Sequence, residues 1–257
     1  MASVALLSGL LAPVEALARQ AGAVILRVYG GDFAVQHKAD KSPVTAADEL
    51  AEAVIVPGLR ALAPAWPVVA EEAVSRGECP GAGALFWLVD PLDGTREFVA
   101  RNGEFTVNIA LVADGEPVLG VVYLPVQDRL YAGLAGQGAW LEGATGRRPI
   151  RCRVLPGEGL TVASSRAHGD DAALDAFLQG RQVAARLAAG SSLKFGLLAE
   201  GRADLYPRFG PTMEWDTAAG HAVLAAAGGS VCDLHGRPLR YGKPGFENPH
   251  FVARGQT

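Results

Sequence analysis

Residues 84–90 (ALFWLVD) constrain the fold of this chain more than any other segment. Six apolar residues in succession leave no polar face, so the strand they predict is covered on both sides. Such a strand needs a sheet around it and layers above and below. It nevertheless ends in an acid, Asp90, and Pro91 follows at once, so the strand is expected to stop there. Asp93 comes three residues later, with the Leu92 carbonyl between the two acids. Two carboxylates and a carbonyl on one tight turn make an all-oxygen set of the kind that hard cations such as Mg²⁺ take. Gly94 lets the backbone approach a ligand closely. Thr95 opens the next segment, where unpaired N–H groups can hold a phosphate.

Taken alone, Asp-Pro and Asp-Gly are common turn dipeptides. Other acids at comparable places weaken that reading. Glu71-Glu72 follow the apolar Val68-Val69-Ala70, Asp216 precedes a helical run over 217–227, and Asp48 starts a helix. Singly, Asp48 suits the positive end of a helix and Asp216 suits a cap. Jointly they point to one acidic site.

The remaining pattern is mixed. Helical spacing runs over 8–29, with Leu10, Val14, Leu17, Ala21, Val24 and Val28 on one side and Gly30-Gly31 at its end. A strand is predicted over 33–38 and a second helix over 46–61, ended by Pro64. A short strand over 66–70 delivers Glu71. Runs over 106–113, 118–124 and 129–134 read as an antiparallel meander. Strand and helix patterns then alternate: 160–164, 170–179, 182–187, 192–200, 203–207 and 217–227. A Gly- and Arg-rich stretch over 143–153 places a boundary between an N-terminal α+β part, 1–147, and a C-terminal α/β part, 148–257.

Bulk properties exclude several classes. Of 257 residues 49% are apolar and 19% charged, which excludes a disordered chain or a coiled coil. The net charge of -4 carries no footprint of nucleic-acid polymer binding. Cys79, Cys152 and Cys232 are odd in number and lack metal-ligand spacing, so three reduced thiols are expected. The apolar N-terminus has no early Lys or Arg, against a signal peptide, and Glu15 and Arg19 interrupt it too soon for a bilayer span.

The stretches 40–48, 70–72, 90–95 and 215–220, in that order and spread over most of the chain, resemble the inositol monophosphatase superfamily of Li⁺-sensitive, Mg²⁺-dependent phosphatases. Within it, 94–98, 101–111, 190–195 and 205–211 are most similar to the bacterial CysQ group of 3'(2'),5'-bisphosphate nucleotidases. The resemblance implies an α/β (α+β) fold, a five-layered αβαβα sandwich. It implies two Mg²⁺ ions, or three with a weaker one near Glu71. Glu71, Asp90, the Leu92 carbonyl and Asp93 would hold the first; Asp90, Asp93 and Asp216 would hold the second; Glu72 is not a direct ligand. Asp48 and Thr95 would orient and deprotonate the attacking water, and the N–H groups of Gly94 and Thr95 would bind phosphate. Lys194 and Arg208, with Ser191 and His168, would select the substrate. Arg96 and Glu97 read as helix-surface charges, and Arg166 has no assigned role.

The implied activity is hydrolysis of the 3'-phosphate of 3'-phosphoadenosine 5'-phosphate, extending to its sulfate-activated form, in sulfur assimilation. An inositol monophosphatase or broad sugar-phosphate phosphatase is the alternative. A non-catalytic nucleotide-binding protein would be expected to have lost a ligand or the Thr95/Asp48 pair. The expected partner is a small phosphorylated nucleotide and the expected state a monomer or homodimer. The expected location is the cytoplasm, with peripheral contact at the inner membrane left open by the apolar first helix.

Overall fold

The computed structural model describes residues 4–37, 43–166 and 171–256. Part of the 40–48 motif and His168 lie outside the described residues.

Helix α1 (Val4–Tyr29) packs on α2 (Ala46–Leu62), and both lie on one face of a seven-stranded sheet. Between them the short strands β1 (Gln36–His37) and β2 (Pro43–Val44) pair antiparallel, so the strand predicted over 33–38 is only a stub. The large sheet runs in the order β3 (Val68–Ala70), β4 (Leu85–Asp93), β5 (Thr106–Ala113), β6 (Glu116–Leu124), β7 (Arg129–Leu134), β8 (Gly138–Gly143) and β9 (Gly146–Ile150). Only β3 and β4 are parallel; the rest is an antiparallel meander. Two short helices, α3 (Glu71–Ser75) and α4 (Thr95–Val99), follow β3 and β4 directly.

The second sheet runs in the order β11 (Val183–Ala189), β10 (Leu160–Ser165), β12 (Leu205–Arg208), β14 (Phe251–Arg254) and β13 (Ser230–Asp233). Helices α6 (Leu193–Ala199) and α7 (Glu214–Ala226) fill the space between the two sheets. Helix α5 (Asp171–Leu178) covers the other face of the second sheet, with Leu174 and Leu178 packed on Val162, Leu205 and Val252. The result is the αβαβα sandwich that the resemblance implies. The 147/148 boundary falls inside β9, and the alternating pattern beyond it did not reveal β13 and β14, whose antiparallel pairing closes the second sheet.

Three differences from the sequence reading have physical causes. First, β4 does not stop at Pro91. Asp90 pairs with Asn108 and Asp93 with Thr106, so Pro91 and Leu92 span an interval in which β5 has one residue. This bulge needs no ladder bond from the proline. It also decides where the acids point. Side chains alternate along a strand, so residues three apart normally face opposite sides. The extra residue puts Asp90 and Asp93 on one side, opposite Asn108 and Thr106.

Second, the buried stripe of α1 is Leu7, Leu10, Leu11, Val14, Ala18, Ala21 and Ile25, so that of the predicted face Leu10, Val14 and Ala21 are buried while Leu17, Val24 and Val28 are half-buried. By length and a mean hydropathy of 1.3, residues 7–29 could cross a membrane after all. That apolar stripe instead faces α2 and the sheet. Glu15 receives Arg147 at 2.8 Å, and Arg19 bridges Asp128 and Glu142, each at 2.8 Å, so the interrupting charges tie the helix to sheet hairpins.

Third, Glu214, which the sequence sets as an extra acid beside Trp215, is committed to the 242–243 backbone. Fully buried, it accepts the N–H groups of Gly242 and Lys243 at 2.6 and 2.9 Å and the Lys243 ammonium at 2.5 Å. All three cysteines are free, as expected.

Helix α7 approaches the large sheet through glycines. A methyl group at Gly120 would strike the Ala219 carbonyl, and one at Gly133 would lie 2.5 Å from Val223 Cα. Gly120→Ala is therefore expected to destabilise the protein by about 1–3 kcal/mol through overpacking. Gly9→Ala, on the exposed side of α1 with nothing within 4 Å, should stabilise it by about 0.4–1 kcal/mol. Urea unfolding midpoints of the two variants check both signs.

Candidate active site

The cleft lies at the carboxyl ends of the parallel pair β3 and β4, where open α/β sheets place ligands. It measures about 440 Å³. Glu71, Asp90, Leu92, Asp93, Gly94, Thr95, Ser191, Lys194, Arg208 and Asp216 all line it. Each of these was singled out from the sequence, and they come from five separate stretches of chain. His168 lies outside the described residues.

Local structure explains how each acid arrives. Glu71 is the first residue of α3, delivered by β3. Asp90 is 2% exposed, and its Oδ1 accepts the Leu92 N–H at 3.0 Å, which shapes the bulge. Asp93 Oδ2 accepts the Ser192 N–H at 2.7 Å and the Asn108 amide at 3.2 Å. Asp216 stands in the first turn of α7, where its Oδ2 accepts the Met213 N–H at 2.9 Å. The capping role considered for Asp216 is thus real, and it coexists with a place in the cleft.

Electrostatics argue for a cation. Burial raises the Asp90 pKa well above the carboxylate range, and the charges of Glu71, Asp93 and Asp216 raise it further. Burial also raises Asp216, followed by Asp93 and Glu71, with Arg208 giving partial relief. Among the described residues no three acidic, histidine or cysteine side chains are drawn together into a ready-made metal cage. The donors are all oxygen, and Arg208 offsets their charge only in part. This fits a hard divalent cation, which would draw the acids together.

Asp48 is reached indirectly. It is 2% exposed and sits behind Thr95, whose hydroxyl donates to Asp48 Oδ1 at 3.1 Å. Its Oδ2 accepts both the N–H and the hydroxyl of Thr45 at 2.8 Å, closing a capping box at the start of α2. Burial pushes the Asp48 carboxyl up to about 6, against the lowering effect of its hydrogen bonds to Thr45 and Thr95.

The recognition side differs in detail from the sequence reading. Lys194 is buried, and its ammonium donates to the carbonyls of Ser191 at 2.6 Å and Ala189 at 3.2 Å, above the Tyr206 ring. Burial lowers its pKa to about 8. Ser191 adopts a left-handed backbone with φ 48° and donates its hydroxyl to the Asp93 carbonyl at 2.8 Å. A side chain on Gly94, itself at φ 91°, would collide with that hydroxyl. Arg208 lines the cleft and donates to the Pro211 carbonyl at 3.1 Å. Glu97 is a correction: it is buried and lines the cleft, not a helix-surface charge. Burial, then Asp93, raises its pKa.

Sequence reasoning missed the residues that hold the acids. Ser192 touches both halves, its N–H on Asp93 and its hydroxyl on the Asp216 carbonyl at 2.7 Å. Asn108 donates to Ser192 Oγ at 3.0 Å as well as to Asp93. Arg166 pairs with Glu104 at 2.8 Å, and Glu104 holds the Gly190 N–H at 2.8 Å. Ser192, Asn108 and Glu104 carried no signal beyond lying in the family-like stretches, and Arg166 lies outside them.

The sequence profile of the inositol monophosphatase family matches residues 7–254. The chain belongs to the inositol monophosphatase family. This family member is 52% identical over 238 residues to the 3'(2'),5'-bisphosphate nucleotidase CysQ of Escherichia coli strain K12, covering 91% of this chain and 95% of that protein. It superposes on CysQ from Bacteroides thetaiotaomicron with TM-score 0.78 at 38% identity, over 94% of this chain and 95% of the other. It superposes on an inositol monophosphatase from Anabaena with TM-score 0.77 at 28% identity, over 97% and 92% of the two chains. As a member of this family the chain is a phosphatase.

The raised Asp48 pKa has a signed consequence. A buried acid whose pKa rises stabilises the fold fully below its unfolded value of 3.8 and loses that contribution as pH passes about 6. Carbon-13 NMR of metal-free, aspartate-labelled protein is expected to show one carboxyl titrating near 6 that Asp48→Asn removes. Thr95→Val deletes a hydrogen bond that favours the carboxylate, so it should move that titration higher.

Proposed function

We propose that this chain is a Mg²⁺-dependent 3'(2'),5'-bisphosphate nucleotidase that hydrolyses the 3'-phosphate of 3'-phosphoadenosine 5'-phosphate to AMP and phosphate. The observation that carries the reaction type is the cluster of Glu71, Asp90, Asp93 and Asp216 in one cleft beside the Thr95–Asp48 hydrogen bond. The substrate follows from the 52% identity to a nucleotidase and from Arg208 on the same cleft.

Glu71, Asp90, Asp93 and the Leu92 carbonyl would hold one Mg²⁺, and Asp90, Asp93 and Asp216 a second. When bound, such ions lower the pKa of water and balance charge on the leaving oxygen. The chain's own residues supply the remainder. The attacking water passes a proton to Thr95 Oγ while the Thr95 hydroxyl proton moves to Asp48 Oδ1, so Asp48 works through Thr95. Asp48 must be ionised to accept, which ties turnover to pH above its pKa. The N–H groups at the start of α4, from its cap residue Gly94 and from Thr95, have no partner within the helix and would bind the phosphate.

Arg208 is the group best placed to bind a second phosphate, since a guanidinium can grip it with two donors. Lys194 contributes charge while its ammonium holds the 189–191 backbone, and Ser191 acts with it. Action on the sulfate-activated nucleotide, lithium inhibition, a place in sulfur assimilation and a cytoplasmic location belong to the same reading.

Two tests follow. Phosphate release from 3'-phosphoadenosine 5'-phosphate and from inositol 1-phosphate, compared by kcat/KM with Mg²⁺, should favour the nucleotide strongly. Arg208→Ala should cut the nucleotide value about 10–100-fold, as loss of a charged hydrogen bond of about 1.5–3 kcal/mol implies, and leave inositol phosphate nearly unchanged. Preference for inositol phosphate would reassign the substrate. Asp93→Asn should abolish nearly all turnover with the far-UV circular dichroism spectrum retained; unchanged turnover would remove the two-metal assignment.

A further inference from the structure

We infer that Glu52 is a positioning residue for Glu71, a role that rests on the metal-centred reading of the cleft. Glu52 lies one turn after Asp48 on α2, on the same side of the helix. It is 5% exposed. Its Oε2 accepts the N–H of Glu72 at 3.0 Å and of Ala73 at 3.2 Å. Those amides belong to the first turn of α3, where no intrahelical acceptor exists. Ala70, at the cap position, has no side chain that could serve. Glu52 therefore supplies from another helix the cap that the local sequence lacks.

The other carboxylate oxygen reaches the far end of the same helix. Oε1 accepts Arg76 Nη2 at 2.9 Å, and Arg76 is the residue that ends α3. One buried carboxylate thus grips both ends of the five-residue helix that begins with Glu71. Glu52 lines a separate surface cavity with Arg76, Arg60 and Cys79, and does not line the cleft. Its influence reaches the chemistry only through the backbone it holds. Since Asp48 lies on α2, the same rigid element then sets both the base and the acid on the metal side.

The test measures metal binding directly. Glu52→Gln keeps the volume, but it offers one oxygen to three donors and turns an amide toward Arg76. Mg²⁺ titrated calorimetrically into metal-free protein is expected to bind this variant about 10–100-fold more weakly than wild type, as for other residues that orient a ligand. KM for substrate at saturating Mg²⁺ should stay unchanged. Arg76→Met, on a half-exposed side chain, should shift Mg²⁺ binding the same way by a smaller factor and add nothing in the Glu52→Gln background. Glu49→Gln, an exposed neighbour on α2, should leave it unaltered.

Wild-type Mg²⁺ affinity in Glu52→Gln overturns the inference and leaves the metal reading intact. Absence of Mg²⁺ binding by the wild-type protein overturns both, and so is distinguishable. If Glu52→Gln does not fold, Arg76→Met decides: wild-type affinity there overturns the inference.

Discussion

Like charge held in a confined space is the constraint on which this structure turns. Asp90 is buried and Asp216 half-buried, and each is made harder to ionise by the other acids of the cleft. Such a group of carboxylates would spread apart or protonate unless its members were tied down. Each tie is visible: Leu92 on Asp90, Ser192 and Asn108 on Asp93, Met213 on Asp216, Thr45 on Asp48. The bulge at Pro91 and the left-handed Ser191 serve the same end. The strain they store is the kind that functional sites retain because surrounding packing determines it.

The two sheets divide the work. Glu71, Asp90 and Asp93 reach the cleft from β3 and β4 of the large sheet, whereas Ser191 and Lys194 lie just before and within α6 and Arg208 ends β12 of the second sheet. Ser192 joins them, since it holds Asp93 from one side and Asp216 from the other. The close approach of α7 at Gly120 and Gly133 fixes the distance between Asp216 and the acids of β4. Packing in the core therefore translates into the geometry of the cleft. Asp48 is buried behind Thr95 and meets the charged cleft only through the Thr95 hydroxyl that donates to it.

The acids were legible because their chemistry demands unusual residue types at strand ends. Glu71, Asp90, Asp93 and Asp216 could be picked out without knowing any contact. Lys194 and Arg208 were legible as charges, but not their different engagements: one is largely committed to backbone carbonyls, the other lines the cleft. Glu97 misled because a helix of five residues offers too few positions for periodicity to separate buried from exposed. Strand β4 was read as ending at Pro91, since a proline ordinarily breaks a ladder; the neighbouring strand's single residue at that point makes room for it. Strand β9 was lost in a Gly- and Arg-rich stretch because an edge strand buries little: Ile150 alone among its residues is buried.

The sequence by itself determined the layered α/β class, the position of the apolar strand that ends in acids, and the oxygen-only donor set. Those follow from periodicity and residue chemistry, which are local. Only the tertiary structure decided that Asp90 and Asp93 share a face, that Asp48 sits behind Thr95, and that Glu52 holds α3 from another helix. Each depends on a register shift or on contacts between segments distant in sequence, and no local pattern encodes which distant partner a side chain will meet.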